Sequence, residues 1–380
     1  MRILVLNYEY PPLGGGGGRV TQDLVSEWVK LGYKVDIITS QYKDLSKFEN
    51  NGDINIHRVF VLNRKDRNSA TLLSMLSFNI SALIKGYKLS RKNKYSSINT
   101  HFVIPTGPVG FLLSKIFKIK NALDIHGGDI YNPNYKIKPH KNIFFKNIIK
   151  FLLNRADKIV AHSKDVKEKA IKYYKIKKDI KIIPIGYKPF KFQKVSRSDL
   201  GLKKNDFYLI SVSRLIPRKR IDRIIKALDA IEDQNIKLLL LGDGPEQDNL
   251  KDIVNKYTLK DRVKFLGFVS EEKKYQYLNC ADLFISVSEH EGFGINFQEA
   301  LYCGLPIITT KSGGPESFLV NKKNALYVNS KNNTKEIANL ILKLRKNKEF
   351  YNKIGQNNLE LIKEFDLKKI ANKYLQVLIK

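Results

Sequence analysis

The feature that most constrains this chain is a repeated alternation. Short runs of β-branched and aliphatic residues take turns with longer stretches of helical periodicity from one end to the other. Such runs suit strands buried on both faces, and a strand that leads into a helix returns to a parallel neighbour. In the first half the runs are RILVLNY, KVDIIT, INIHRVF, SINTHF, NALDIHG and DKIVAHS, with amphipathic stretches such as VTQDLVSEWVKLG between them. The pattern pauses at KIIPIGYKPFKFQKVSRSDLG, which reads as a linker. It restarts with FYLISVS, KLLLLG, VKFLG, LFISVS, LPIITT and ALYV. The expectation is an α/β protein of two successive Rossmann-like domains, residues 1–188 and 189–365, in a chain of 380 residues that has room for two ordinary cores. From about Asn332 the tail reads as helical and lysine-rich.

Charge narrows the partners. Lys and Arg number 68 against 37 Asp and Glu, a net charge of +31. That balance predicts attraction to a membrane face, a nucleic acid or a phosphorylated ligand, although a lysine-rich surface without a partner explains it equally. Between Asp66 and Asp124 there is no carboxylate, while Arg67, Lys85, Lys88, Arg91, Lys92, Lys94, Lys115, Lys118 and Lys120 fall inside. The same window carries Leu72, Leu73, Met75, Leu76, Phe78, Ile80, Leu83 and Ile84 at roughly helical spacing. Two readings fit: an amphipathic helix on an anionic membrane surface within residues 67–120, or a core helix that ends in a solvated lysine run. No RNA-binding module is visible and the charge is spread, so nucleic acid is not expected as a partner. Cys280 and Cys303 lie beside apolar residues, which excludes a disulfide scaffold or a zinc site. The chain opens directly on a strand-like segment and has no stretch long and apolar enough to span a bilayer. A cytoplasmic protein, soluble or peripheral on the inner face of the membrane, is the expectation.

Three places carry candidate chemistry. Five glycines, Gly14 to Gly18, follow the first strand and precede a helix expected at about Arg19; glycines let a backbone approach a ligand, and a helix N-terminus offers amides to an anion. The spacing is neither the dinucleotide fingerprint nor a Walker loop. In the second half, Arg214 and Lys219 of SRLIPRKR follow the strand FYLISVS, at the carboxyl end where open α/β sheets bind ligands. Two cations there suit a pyrophosphate. Arg218 and Arg220 are nearby and read equally as surface. In SEHEGFGINFQEALYCGLPIITTKSGG, Glu291 lies in a loop and Glu299 one turn into the next helix, with Gly292 and Gly294 between them. Glycine amides at a helix start cradle an anion, and two carboxylates at that spacing suit diol groups.

The run from Glu291 to Glu299, with GFG inside and EALYCGLPIITTKSGGPES after it, resembles the signature of glycosyltransferase family 4. SVSRLIPRK, LLGDGPEQDNL, LGYKVDIIT and DIHGGD are similar too, so the likeness spans nearly the whole chain. The resemblance implies a GT-B fold, two Rossmann-like domains facing a central cleft, the first binding the acceptor and the second the donor. It implies that the last helix, residues 366–380, packs back on the first domain. It also implies retaining transfer of a hexose from a nucleoside diphosphate sugar, a UDP-sugar in most members, to an acceptor hydroxyl; the basic, apolar character of the first half favours a lipid-linked acceptor of cell-envelope polysaccharide or glycolipid synthesis over a soluble sugar.

At matching positions Arg214 and Lys219 would hold the donor pyrophosphate and Glu299 the ribose hydroxyls. Glu291 would contact the transferred sugar, together with the amides of Gly292, Phe293, Gly294 and Ile295. His126 would line the sugar site, Gly16 and Gly17 would approach the donor phosphate, and the backbone at Phe268 would read the base. No Asp-x-Asp occurs, and no metal or other cofactor is expected, since side-chain cations and amides can replace an ion electrostatically. The chain departs from the family at Arg220, where glycine is usual, and at Arg19, where an acid is usual. An inactive GT-B scaffold and a basic nucleic-acid-binding protein stand as alternatives.

Overall fold

A computed structural model describes residues 1–64, 70–132, 138–329 and 333–379. The chain divides into two compact units. One comprises Met1–Lys188 with Phe365–Lys380, the other Pro189–Glu364.

The first unit contains strands β1 (Arg2–Leu6), β2 (Lys34–Ser40), β3 (Phe48–Asn51), β4 (Ile54–Val59), β5 (Ser97–His101), β6 (Asn121–Ile125), β7 (Lys158–Ala161) and β8 (Ile180–Ile182). They form one sheet in the order β3-β4-β2-β1-β5-β6-β7-β8, parallel throughout except where β3 pairs antiparallel with β4 at the edge. Helices α1 (Gly16–Lys30), α2 (Leu72–Lys92), α3 (Gly107–Phe117), α4 (Ile143–Arg155) and α5 (Lys164–Tyr174) make the connections. The β3 hairpin has no counterpart in the periodicity, because its FENN sequence is exposed and polar. The segment read as linker from Lys181 begins instead as strand β8, whose Ile180 is buried while Lys181 and Ile182 face out. Central strands such as β1 and β5 are buried along their length, as a sheet covered on both faces requires.

The second unit is a six-stranded, wholly parallel sheet in the order β11-β10-β9-β12-β13-β14. Its strands are β9 (Phe207–Val212), β10 (Ile236–Leu241), β11 (Val263–Gly267), β12 (Leu283–Ser286), β13 (Ile307–Thr310) and β14 (Ala325–Val328). Helices α6 (Ile221–Asp229), α7 (Gln247–Lys256), α8 (Glu271–Cys280), α9 (Ile295–Tyr302), α10 (Thr334–Lys346) and α11 (Lys348–Leu361) cover it. Residue 332, where the helical tail was expected to open, lies outside the described residues; the helix is in place from Thr334. The core packs Ile224, Ile225 and Leu228 of α6 on Leu209, Leu238 and Leu240 of the sheet.

The last helix, α12 (Leu367–Ile379), belongs to the first unit. It lies against α1, where buried Trp28 donates from Nε1 to the Ala371 carbonyl at 3.2 Å. A Cβ at Gly186 would stand 3.1 Å from the Leu367 Cα, so glycine allows the chain to pass there.

The lysine-flanked window resolves into α2, whose buried stripe is narrow: Ser74, Phe78, Ala82 and Gly86, one residue per turn. Leu72, Leu73, Leu76, Ile80, Ile84 and Tyr87 are exposed, which overturns the core-helix reading for most of its apolar residues. Leu112 and Ile116 of α3 and Ile143, Phe144 and Phe151 of α4 are exposed as well. Arg67 lies outside the described residues. Among the described residues no helix is long and apolar enough to cross a membrane.

Candidate functional site

In the second unit, three loops at the carboxyl ends of strands come together. β9 ends at Val212, and the chain runs through Arg214 into a single 3-10 turn, Pro217–Lys219, before α6. The loop after β10 passes so close that a Cβ at Gly242 would stand 2.1 Å from the Ser213 carbonyl oxygen, and one at Gly244 2.2 Å from that of Leu215. Both glycines hold positive φ, 121° and 156°. The third loop, after β12, carries Glu289 to Gly294 into α9, where Asn296 Nδ2 donates to the Val212 carbonyl at 3.0 Å. Behind it, Glu291 N donates to Ser312 O at 2.8 Å and Gly314 N to Glu291 O at 2.9 Å. A Cβ at Gly314 would lie 2.4 Å from Gly292 O, so the SGG after β13 is there for close passage.

The side chains form a compensated ionic cluster. Lys219 Nζ meets Glu291 Oε1 at 2.5 Å and Arg218 Nη1 meets Oε2 at 3.3 Å, with Lys219 and Glu291 both buried. Arg218 Nη1 also donates to the His290 carbonyl. Burial alone would push the Glu291 carboxyl up, but the Lys219 and Arg218 charges hold it at about 2. Burial pulls the Lys219 ammonium down, against the opposing pull of Glu291. Arg218, readable from sequence as mere surface, is therefore part of the cluster. Arg220 is not: it pairs with Asp222 at 3.0 Å and Glu289 at 2.8 Å. Arg214 is exposed at the loop.

Glu299, in α9, is buried and pairs with Lys274 Nζ of α8 at 2.6 Å; Lys274 also reaches Glu271 at 2.8 Å. Nothing local in sequence announces Lys274, since 25 residues separate it from Glu299. Gly294 caps α9 with φ 94° and Ile295 opens the helix; Phe297 N turns back to Gly294 O at 3.1 Å, and the amides of Ile295 and Asn296 stand at the open end of the helix. Phe293 offers backbone only, because its ring is buried against Phe318 at 5.0 Å. Phe268, just after β11, is 84% exposed.

In the first unit, α1 starts at Gly16, earlier than Arg19, so Gly16, Gly17 and Gly18 form its first turn. Glycine is needed at two of them by contact: a Cβ at Gly17 would sit 2.4 Å from Phe102 Cζ, and one at Gly18 3.1 Å from the carbonyls of Glu9 and Leu13. Gly15 N donates to Glu9 Oε2 at 3.1 Å, so an acid does meet this loop, from before the glycines.

His126 follows β6. Its backbone amide donates to Asp129 Oδ1 at 3.1 Å, and Asp129 Oδ2 takes Val103 N at 2.8 Å, stapling the loops after β5 and β6. Burial raises Asp129 to about 6. Phe102 stacks on the His126 ring at 4.1 Å, and Gly17 lies beside its Nδ1. Burial, with His162 and His101 adjacent, holds His126 well below the usual histidine range, so the ring is neutral near pH 7. The structure thus brings His126 together with Gly17 and Lys219 together with Glu291, while Arg214 stands exposed in the same loop as Lys219 and Glu299 pairs instead with Lys274.

Comparison with known proteins agrees across the chain. Residues 14–189 match the family model described as Glycosyltransferase Family 4, and residues 192–360 match Glycosyl transferases group 1. An uncharacterized glycosyltransferase of Methanocaldococcus jannaschii is 30% identical over 71% of each chain. The N-acetyl-alpha-D-glucosaminyl L-malate synthase of Bacillus anthracis is 27% identical over 96% of this chain and 93% of its own. The alpha-monoglucosyldiacylglycerol synthase of Streptococcus pneumoniae is also 27% identical, over 81% and 70%. Among solved structures, sucrose-phosphate synthase of Thermosynechococcus elongatus superposes with a TM-score of 0.87 at 21% identity over 99% and 98% of the two chains. Anabaena HepE in complex with UDP-glucose gives 0.74 at 22% over 99% and 98%. The chain belongs to glycosyltransferase family 4, and its two units are the two Rossmann-like halves of the GT-B fold.

Proposed function

We propose that the chain transfers a hexose from a nucleoside diphosphate sugar, a UDP-sugar, to a sugar or lipid-linked acceptor, retaining the anomeric configuration and using no metal ion. The observation that carries this reading is the cation set at the carboxyl end of β9, Lys219 and Arg218 closed on Glu291 with Arg214 exposed in the same loop, and the α9 N-terminus tied to that strand end by Asn296. A diphosphate leaving group needs positive charge and amides at the oxygen where negative charge develops, which is where an enzyme gains most. Glu291 holds Lys219 and Arg218 at this strand end. Glu299 accepts from the ribose hydroxyls and Glu291 from the sugar hydroxyls. His126 lines the sugar site, Gly16 and Gly17 take the donor phosphate, and the backbone at Phe268 meets the base.

In the reaction the bond from the anomeric carbon to the β-phosphate oxygen breaks with its electron pair leaving on the diphosphate. The acceptor oxygen bonds to that carbon from the same face, and its proton passes to the departing phosphate oxygen. Support for the donor comes from the HepE structure, solved with UDP-glucose. Support for a lipid acceptor comes from the name of the pneumococcal relative, a diacylglycerol glucoside synthase. The exposed apolar row of α2, with Lys85, Lys88, Arg91 and Lys92 on the same helix, suits a peripheral site on the cytoplasmic membrane face. The malate-synthase relative favours a small soluble acceptor as the second reading.

The test is a thermal-shift panel of UDP, GDP, TDP and ADP sugars, with magnesium and with chelator. A ligand at about 100 times its Kd adds about 2.7 kcal/mol to the binding unit. Magnesium-independent stabilisation by one nucleotide supports the reading, and an inverted product anomer would sink the proposed mechanism. Co-sedimentation with anionic liposomes that persists after Leu76 and Ile80 become Asp would remove the membrane argument.

A further inference from the structure

Behind His126 runs a buried polar chain that the proposed reaction does not use. His101, the last residue of β5, is fully buried. Its Nδ1 lies 3.1 Å from His126 Nε2 and 3.3 Å from Asp124 Oδ2. Asp124, on β6, is equally buried, and its Oδ2 accepts from Asn99 Nδ2 at 3.2 Å. The Tyr374 hydroxyl, on α12, stands 3.4 Å from His162 Nδ1. His162 stands edge-on to His126 at 4.7 Å, with its Nδ1 turned to the Ile183 carbonyl at 3.2 Å. Among the described residues no three His, Cys, Asp or Glu side chains are grouped to hold a metal ion, so these rings are read as hydrogen-bonding groups.

The protons can be placed by counting donors and acceptors. His101 Nε2 is buried and has no partner, so the one proton of this ring sits on Nδ1. Nδ1 is in hydrogen-bond contact with His126 Nε2, which must then present a lone pair. Burial pushes His101 down to about 3 and His162 to about 4, and holds His126 low as well, so each ring keeps a single N–H near pH 7. The one N–H of His126 is therefore on Nδ1. Turning the pair around would move the His101 proton to Nε2, which is buried and has no acceptor. Phe102 stacked on the His126 ring keeps it from rotating out of this arrangement. Nδ1 is the nitrogen beside Gly17, 3.5 Å from where a Cβ there would stand.

We infer that His101 fixes His126 as the neutral Nδ1–H tautomer, so that it presents a permanent hydrogen-bond donor beside the glycine turn and never acts as a base. His101 is thus a positioning residue. The inference rests on the proposed reaction only for what the donor touches, a sugar hydroxyl or phosphate oxygen; the tautomer itself is a property of the unliganded protein.

The experiment is a long-range 1H–15N correlation on the unliganded full chain, labelled at histidine nitrogen, at neutral pH, with His126→Asn used only for assignment. The expected spectrum shows His126 neutral, protonated at Nδ1 and bare at Nε2. The Nε2–H form, or an averaged pair of tautomers, overturns the inference without any variant. His101→Leu removes the donor, whereas His101→Asn keeps an amide hydrogen near the Nδ1 position. In the Leu variant His126 should lose its single tautomer and kcat fall about tenfold, one hydrogen bond's worth of transition-state stabilisation, with the donor KM within about twofold. The Asn variant should restore both tautomer and turnover. An unchanged tautomer in His101→Leu also overturns the inference. If no donor sugar turns over at all, the proposed reaction fails while the spectrum still decides the tautomer.

Discussion

The two units share one architecture, yet they treat the polar residues at their strand ends in opposite ways. The second unit keeps its groups charged. Lys219 and Arg218 close on Glu291, and Lys274 closes on Glu299, each pair buried and mutually compensated. The first unit desolvates its groups with no opposite charge built against them. His101, His126 and His162 are desolvated beside one another, and Asp124 and Asp129 are pushed up by the same burial. The lesson is that burial neutralises a titratable group unless an opposite charge is built within contact, and the same βα scaffold supplies either outcome. A site that must meet a diphosphate needs the first arrangement. A site that must offer fixed hydrogen bonds to hydroxyls needs the second.

The contrast can be broken most forcefully at Lys219. Lys219→Met leaves the buried Glu291 charge with Arg218 as its remaining partner in the cluster. It should destabilise the second unit by about 3 kcal/mol and lower kcat/KM by about 1,000-fold, read by denaturant unfolding and steady-state kinetics. Arg214→Ala removes a cation that is exposed, so it should separate the two effects. A loss of about 100-fold in kcat/KM with stability changed by under about 0.5 kcal/mol is expected. An Arg214→Ala variant with full activity would show that the cluster, and not the exposed arginine, holds the diphosphate. Glu299→Ala should cost about 2 kcal/mol of nucleotide affinity by calorimetry, while the corresponding deoxyribose nucleotide should lose less on the same substitution.

The smallest effect is one of pH, and it tests both halves at once. Histidines held below their unfolded value stabilise the fold fully above pH about 6.5, and that contribution is lost as pH falls toward about 4 for His162 and about 3 for His101. His126 acts in the same direction. Asp124 and Asp129, raised, act in the opposite sense, and Asp129, at about 6, moves less far from its ordinary value than His101 or His162 does. Glu291, lowered to about 2, contributes stability above its unfolded value of 4.5 that is lost only below it. The first unit should therefore loosen at a higher pH than the second. Trp28, the one tryptophan in the sequence and buried in the first unit, should shift its emission before the far-UV dichroism is fully lost. Coincident transitions would show that the two units are electrostatically alike after all.

Much of this was legible from the chain because it is written in short-range pattern. Strand–helix alternation and the Glu291–Glu299 stretch are local, and the residues named from them sit where their spacing places them. The β3 edge was missed because its FENN sequence has neither apolar period nor β-branched residues. Lys274, Arg218 and His101 were missed as site residues for a different reason: each acts through a partner distant in sequence, 25, 73 and 25 residues away. The glycines of the GDG and SGG turns look alike in sequence, and only the 2.1–2.4 Å approach of a neighbouring carbonyl says why they are glycine.

The sequence by itself determined the two Rossmann-like halves, the family, and which residue types stand at the strand ends, since periodicity and adjacent residues decide those. Tertiary structure alone decided which charges are paired, which histidine faces which, and that α2 shows most of its apolar residues to the outside. It also decided that α12 closes on Trp28 across 343 residues of chain. Those outcomes depend on burial and on contacts between segments far apart, and neither is encoded in the period of any one stretch.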